Sequence, residues 1–278
     1  MALPDQELIR LQVAEALAED VGQGDLTASL IPEGARSTAH VRCRDNAVIA
    51  GIPWFDEVMA QVDSGIDVVW SCRDGDSVSA DTVICQMNGP SASLLTAERS
   101  ALNFLQTLSA VATKTARYVS LVKGTEAKVL DTRKTIPGMR LAQKYAVVCG
   151  GGHNHRIGLY DAILIKENHI AAAGSVAAAL QAAYEKHPQV EIEIEIETLD
   201  QLAEALDAGA KRVLLDNLDN DQLIQAVDLN AGRARLEASG GVDDSTVRQI
   251  AETGVDDISI GGLTKDVKAV DFSMRFDD

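Results

Sequence analysis

Aromatic residues, paired cysteines and positive charge are all scarce in this sequence. Trp, Tyr and Phe make up only 4% of its 278 residues. A core must therefore come from Ala, Val, Leu and Ile, with Ala-rich stretches reading as helix and Val/Ile stretches as strand. The four cysteines, Cys43, Cys72, Cys85 and Cys149, form no C-x-x-C pair. That excludes the usual zinc spacings, and a chain of this size has no need of a disulfide framework. Lys and Arg number 25 against 42 Asp and Glu, a formal net charge of -17. This balance argues against nucleic acid as a partner, which requires a basic surface. It leaves an anionic substrate open, because a site needs only local positive charge. No run is apolar for long enough to span a bilayer, and MALPDQELIR lacks the basic and apolar regions of a signal peptide. The expectation is a soluble, cytoplasmic protein with reduced thiols and no membrane partner.

With 46% hydrophobic residues, the chain suffices for one large or two modest domains. Residues 4–20 carry Leu8, Leu11, Val13, Ala16 and Leu17 near helical spacing. The segment VGQGDLTASLIP then breaks the helix. From Ser37 to Met87, the runs STAHVRCRD, AVIAGI, DVVWSC and TVICQM read as antiparallel strands between tight turns, with WFDEVMAQV as a helix among them. A long helix is expected over 96–123, with Thr96 as its N-cap. The domain boundary is placed inside it near residue 106, giving domains of 1–106 and 107–278. Beyond it, AKVLD, DAILIK, VEIEIEIE, RVLLD, ARLEAS and DISIG alternate with helical stretches. Such a βα train closes into a parallel barrel or winds into an open sheet. No G-x-G-x-x-G follows its first strand, which lowers the weight of the dinucleotide-binding version.

The polar residues gather at the ends of these strands. AKVLD runs into Asp131, Arg133 and Lys134, and the later strand ends fall at Lys166, Glu195, Asp216, Ser239 and Gly261. In a parallel β/α barrel the C-terminal strand ends converge on one face, which hosts the site. Alternation along EIEIEIE places Ile192, Ile194 and Ile196 on one side and Glu193, Glu195 and Glu197 on the other. If the isoleucines pack under helices, the carboxylates point inward and require cations or a metal. Between 131 and 170 stand Arg133, Lys134, Arg140, Lys144, His153, His155, Arg156, Lys166 and His169, opposed only by Asp131, Asp161 and Glu167. Such an island suits a phosphate, pyrophosphate or dicarboxylate. The glycine pairs in SGG at 239–241 and IGG at 260–262 can cradle a phosphate with backbone N–H groups. GGG at 150–152 reads instead as a sharply turned loop.

These motifs resemble a known family. DTRKTIPGMRLAQKYAVVCGGGHNHRIGLYDAILIKENHI at 131–170 is similar to the core signature of quinolinate phosphoribosyltransferases. EDVGQGDLT, ERSALNFLQ, EIEIETLDQL, LLDN, ASGG and DDISIGGLTKDVKAVDFSMRF fit in the same order. The resemblance implies an α/β protein in which an N-terminal α/β sandwich domain is joined to an incomplete parallel β/α barrel. It implies conversion of quinolinate and phosphoribosyl pyrophosphate to nicotinate mononucleotide, pyrophosphate and carbon dioxide, with Mg²⁺, in NAD biosynthesis. It also implies a homodimer, or a larger assembly of dimers, with a site shared between chains. By matching position, Arg133, His155, Arg156 and Lys166 bind quinolinate, with Arg99 arriving from the partner chain, and Thr132 is a further substrate-binding residue. Lys134 lies near the reacting centre and the pyrophosphate, and Glu195 and Asp216 face ribose and metal. Ser239, Gly240, Gly241, Ile260, Gly261 and Gly262 hold the 5′-phosphate. The alternatives are a pyrophosphorylase-like paralogue associated with molybdenum transport and a non-catalytic phosphate-binding barrel.

Overall fold

The structure, a computed structural model, describes residues 3–277. Its strands are β1 (Arg36–Cys43), β2 (Ala47–Val48), β3 (Asp67–Trp70), β4 (Ser77–Val78), β5 (Thr82–Pro90), β6 (Lys128–Leu130), β7 (Ala162–Ile165), β8 (Glu191–Ile196), β9 (Arg212–Asp216), β10 (Arg235–Ser239), β11 (Asp257–Ser259) and β12 (Phe272–Phe276). Its helices are α1 (Gln6–Val21), α2 (Ile52–Val62), α3 (Ser91–Leu121), α4 (Arg140–Cys149), α5 (Glu167–Ala173), α6 (Val176–Lys186), α7 (Leu199–Asp207), α8 (Asn220–Asn230), α9 (Val247–Glu252) and α10 (Gly262–Lys265). The chain packs as two compact units. The first gathers the chain up to Ala116, Ile136–Gly151 and the segment from Asp266 onward. The second is Arg117–Thr135 with Gly152–Lys265.

In the first unit, α1 forms where expected, but Leu11 of its expected apolar face is exposed. Asp5 accepts a hydrogen bond from the Glu7 N–H at 2.9 Å, and Ile9 and Val13 are buried. Three of the four expected strands, β1, β3 and β5, join β12 in an antiparallel sheet of order β12-β1-β5-β3, whereas AVIAGI yields only β2, which pairs with β4 in a separate sheet. Ala39, Val41 and Cys43 alternate inward along β1. The outer partner β12 comes from the far C-terminus and pairs antiparallel with β1. Local pattern offered no sign of that pairing. Helix α3 starts at Ser91 and not at Thr96, directly after β5. Thr96 is therefore an interior helical residue whose hydroxyl bonds the Ala92 carbonyl at 3.1 Å and Asp25 at 2.9 Å. The boundary expected near residue 106 falls within this unbroken helix. Packing divides the chain at 116/117 and returns α4 and β12 to the first unit.

The second unit holds the βα train. Six parallel strands lie in the order β6-β11-β10-β9-β8-β7, separated along the chain by short helices. Local chemistry starts several of these helices: Ser175 caps α6 through the Ala178 N–H, Thr198 caps α7 through the Gln201 N–H, and Asp219 caps α8 through the Gln222 N–H. Their buried faces, such as Leu202, Ala205 and Leu206 of α7, supply apolar cover. β6 and β7 are the two edges. A segment around residues 153–156 runs between them. The His153 N–H bonds the Val129 carbonyl at 2.8 Å, the Asp131 N–H bonds the His153 carbonyl at 3.1 Å, and the Arg156 guanidinium bonds the Ala162 carbonyl at 3.2 Å. The result is an incomplete barrel whose gap is filled by irregular chain. Among the described residues, no helix is long and apolar enough to cross a membrane.

Candidate active site

Because β6–β11 are all parallel, their C-terminal ends lie at one edge of the sheet, and so do the residues that follow them. Thr132, Arg133 and Lys134 follow β6, Lys166 follows β7, Glu195 is near the end of β8, and Asp216 and Ser239 end β9 and β10. Ile260, Gly261 and Gly262 follow β11. Along β8 the isoleucines are buried, Glu193 is buried and Glu195 nearly so, as alternation implied. Glu197 differs from expectation. The strand stops at Ile196, because Thr198 already caps α7, and Glu197 is exposed with its N–H on the Gln201 side chain at 2.8 Å.

Close contacts define the centre. Lys166 Nζ lies 2.6 Å from Glu195 Oε2. Asp216 accepts a hydrogen bond from Asn217 Nδ2 at 2.8 Å. The Lys134 N–H bonds Thr132 Oγ1 at 3.0 Å, and Thr264 Oγ1 donates to the Lys134 carbonyl at 2.8 Å. The Lys134 side chain crosses Gly261 so closely that a Cβ there would stand 2.9 Å from Lys134 Cδ. Gly240 and Gly241 both have positive φ, +100° and +60°, a backbone that turns successive N–H groups toward one concave side. A Cβ on Gly240 would stand 2.7 Å from Asn217 Cγ. Asn217 is itself left-handed, with φ of 57°, and its N–H bonds the Ser239 carbonyl at 2.9 Å. It ties the ends of β9 and β10 together. Sequence reasoning passed over it although it sits inside LLDN.

Burial, and then the charge of Arg133, push the pKa of Arg156 below its usual value. Two guanidiniums that disfavour each other suit an anion placed between them. The expected positive island is smaller than its span in the sequence. Arg140 and Lys144 belong to α4 in the first unit, and Lys144 is completely buried. His153 is held on β6, and His169 Nδ1 accepts the Lys166 N–H at 3.0 Å. Arg133, Lys134, His155, Arg156 and Lys166 remain with the parallel sheet. Asp131, expected as an acting strand-end group, is fully buried and accepts from Asn154 Nδ2 at 2.6 Å and the His155 N–H at 2.9 Å. Its role is to pin the gap-filling segment. Arg99 is an exposed residue of α3 within the first unit. At the other end of the strands, a cavity of about 310 Å³ is lined by Lys128, Glu191, Arg212, Arg235 and Asp257, and it also takes in His155 and Arg156, so these two candidate substrate residues border it as well.

Phosphate-cradling glycines, inward carboxylates and clustered cations at the ends of parallel strands agree with two family models. The N-terminal domain of quinolinate phosphoribosyl transferase matches residues 25–109, and its C-terminal domain matches 111–275. The chain belongs to the quinolinate phosphoribosyltransferase family. It is 41% identical over 257 residues, 92% of this chain and 89% of the other, to a probable carboxylating nicotinate-nucleotide pyrophosphorylase of Bacillus subtilis. A decarboxylating quinolinate phosphoribosyltransferase of Nicotiana glauca is 40% identical over 94% of this chain and 80% of its own. The solved nicotinate-nucleotide pyrophosphorylase of Francisella tularensis superposes with a TM-score of 0.97 at 44% identity, covering 99% of this chain and 98% of that one. These matches favour the phosphoribosyltransferase over both the molybdenum-associated paralogue and a non-catalytic barrel. As a family member, the chain is an enzyme, a phosphoribosyltransferase of NAD biosynthesis that acts on quinolinate.

Proposed function

We propose that the reaction takes place at the C-terminal ends of β6–β11, where quinolinate and phosphoribosyl pyrophosphate form nicotinate mononucleotide, pyrophosphate and carbon dioxide. The observation that carries this reading is the juxtaposition of opposite charges: Lys166 meets Glu195 at 2.6 Å, and Arg156 feels the charges of Arg133 and Glu195, while Asp216 ends the neighbouring strand β9. Cations on one side suit a dicarboxylate. Carboxylates on the other suit a sugar centre that becomes positive.

Pyrophosphate leaves C1 of the ribose with its bonding electron pair. Glu195 and Asp216 stabilise the oxocarbenium-like centre that develops. The pyridine nitrogen gives its lone pair to C1. The resulting pyridinium draws the electrons of the C2–carboxylate bond, carbon dioxide departs, and C2 takes up a proton. Thr132, Arg133, His155, Arg156 and Lys166 orient the dicarboxylate, and Lys134 faces the leaving pyrophosphate. Ser239, Gly240, Gly241, Ile260, Gly261 and Gly262 receive the 5′-phosphate.

Asp216, a half-buried carboxylate, and Glu195, which shares one oxygen with Lys166, are hard oxygen donors that fit Mg²⁺ alongside water and phosphate oxygens. Bound there, the ion would neutralise charge on the leaving pyrophosphate. The assembly we propose is a cytoplasmic homodimer in which the exposed Arg99 serves the partner's site.

The test is formation of nicotinate mononucleotide by the purified chain, coupled to titration calorimetry of Lys166→Ala. The variant should lose quinolinate affinity by about 2–5 kcal/mol and keep most of its affinity for phosphoribosyl pyrophosphate. Equal losses for both ligands would reject the assignment of Lys166.

A further inference from the structure

Beside the proposed dicarboxylate site, His155 meets two buried carboxyls, Glu193 and Glu237, to which the reaction as described assigns no part. His155, Glu193 and Glu237 offer ligand atoms all within 4.8 Å of one another. Glu193 is 4% exposed and Glu237 1%. The His155 ring is committed on both sides. Its Nδ1 accepts the N–H of Arg156 at 2.8 Å, so the ring proton sits on Nε2, which lies 2.8 Å from Glu193 Oε2 and 3.5 Å from Glu237 Oε1. The ring therefore joins the gap-filling segment to β8 and β10 in the barrel interior. Asp131 holds the same segment at its backbone, through the His155 N–H at 2.9 Å. The segment has only an isolated bridge to β6 and no strand ladder of its own, so these side chains set where Arg156 stands.

The trio has the chemistry of a metal site, but its surroundings already supply a cation. The Arg212 guanidinium lies 3.6 Å from Glu193 and 3.3 Å from Glu237. Burial, and next the charge of Glu193, push the Glu237 carboxyl up to about 8. Glu237 is then a neutral acid at pH 7, and its Oε1, which accepts no hydrogen bond, is not an uncompensated charge.

We propose that Glu193 and Glu237 are positioning residues that hold the His155–Arg156 segment in the gap between β6 and β7 and so shape the dicarboxylate subsite. The proposal deepens the functional reading above and rests on it. The two carboxyls do different work. Glu193 accepts from the ring, whereas Glu237 fills its place as an uncharged acid that an amide can imitate.

The test compares Glu193→Gln, Glu237→Gln and Glu237→Ala in the full chain. Glu193→Gln, whose amide oxygen accepts more weakly than a carboxylate, and Glu237→Ala, which empties a buried place beside the ring, should raise the KM for quinolinate by about tenfold or more. The KM for phosphoribosyl pyrophosphate should stay within about twofold, because none of the three residues faces it. Glu237→Gln should restore most of what Glu237→Ala loses, to within about threefold of the wild-type KM. Equal effects on both substrates, or a wild-type quinolinate KM in Glu193→Gln, would overturn the proposal. So would a stoichiometric metal ion in the purified protein that either glutamine variant loses. Nuclear magnetic resonance of the His155 ring separates this inference from the reaction itself. Wild type and Glu237→Gln should show the Nε2–H form, and Glu193→Gln should perturb it. An Nδ1–H or doubly protonated ring in the wild type would refute the positioning scheme even if the chain makes nicotinate mononucleotide. Absence of product with the ring as described would refute the functional reading alone.

Discussion

The two ends of the parallel sheet are built on opposite principles. Toward the N-terminal ends, the interior charges are packed into a network of opposite signs. Arg212 lies between 3.3 and 3.6 Å from Glu191, Glu193, Glu237 and Asp257, and Arg235 grips Asp257 through two nitrogens. At the C-terminal ends, Lys166 and Glu195 meet in a partly exposed pair. There the backbone also bends through two successive positive-φ glycines. One end spends its charges on the fold, and the other keeps them for ligands, the division expected of β/α barrels.

Breaking each end should therefore give a different phenotype. The largest effect on stability should come from Arg212→Met, which leaves buried carboxylates without their cation. We expect a loss of about 3–5 kcal/mol in urea unfolding. Glu195→Gln at the other end should cost less than about 1 kcal/mol, since its partner Lys166 is 43% exposed and such a pair contributes little. Its turnover number should nevertheless fall at saturating substrates and Mg²⁺. If Glu195→Gln unfolds as readily as Arg212→Met, the contrast between the ends fails.

Gly240→Ala sharpens the comparison at the functional end. The methyl group would meet Asn217, and φ of +100° strains any side chain there. Such strain is of order 1–3 kcal/mol. It should appear mainly as a raised KM for phosphoribosyl pyrophosphate, measured at constant quinolinate. An unchanged KM would remove Gly240 from the phosphate subsite.

The smallest effect concerns pH and belongs to the interior. Below the ordinary glutamate range, near 4.3, folded and unfolded chains both hold the Glu237 proton. From there to about 8, only the folded chain holds it, so this group's contribution to stability falls as pH rises and then levels off. Glu237→Gln has no proton to lose. Relative to wild type, it should gain about 1 kcal/mol or more between pH 5.5 and 8.5 in urea midpoints taken at both values. Parallel pH curves for the two proteins would show that Glu237 does not carry the proton.

The placement of many candidate residues was legible in the sequence. Lys166, Glu195, Asp216 and Ser239 stand at or just after strand ends, as the βα rhythm indicated, because side-chain alternation and helix caps are encoded within a few residues. The inward face of β8 was legible for the same reason. Asp131 was misjudged, since a strand-end carboxylate looks alike in sequence whether it meets solvent or, as here, the buried backbone of His155. What the sequence by itself determined was the βα train of the second unit and the inward face of β8. Only the tertiary structure decided that β12 pairs with β1 at the opposite end of the chain, that α4 and its cations join the first unit, and that Glu237 lies against Glu193 and His155. Those outcomes depend on contacts between distant segments, for which the periodicity of neighbouring residues carries no signal.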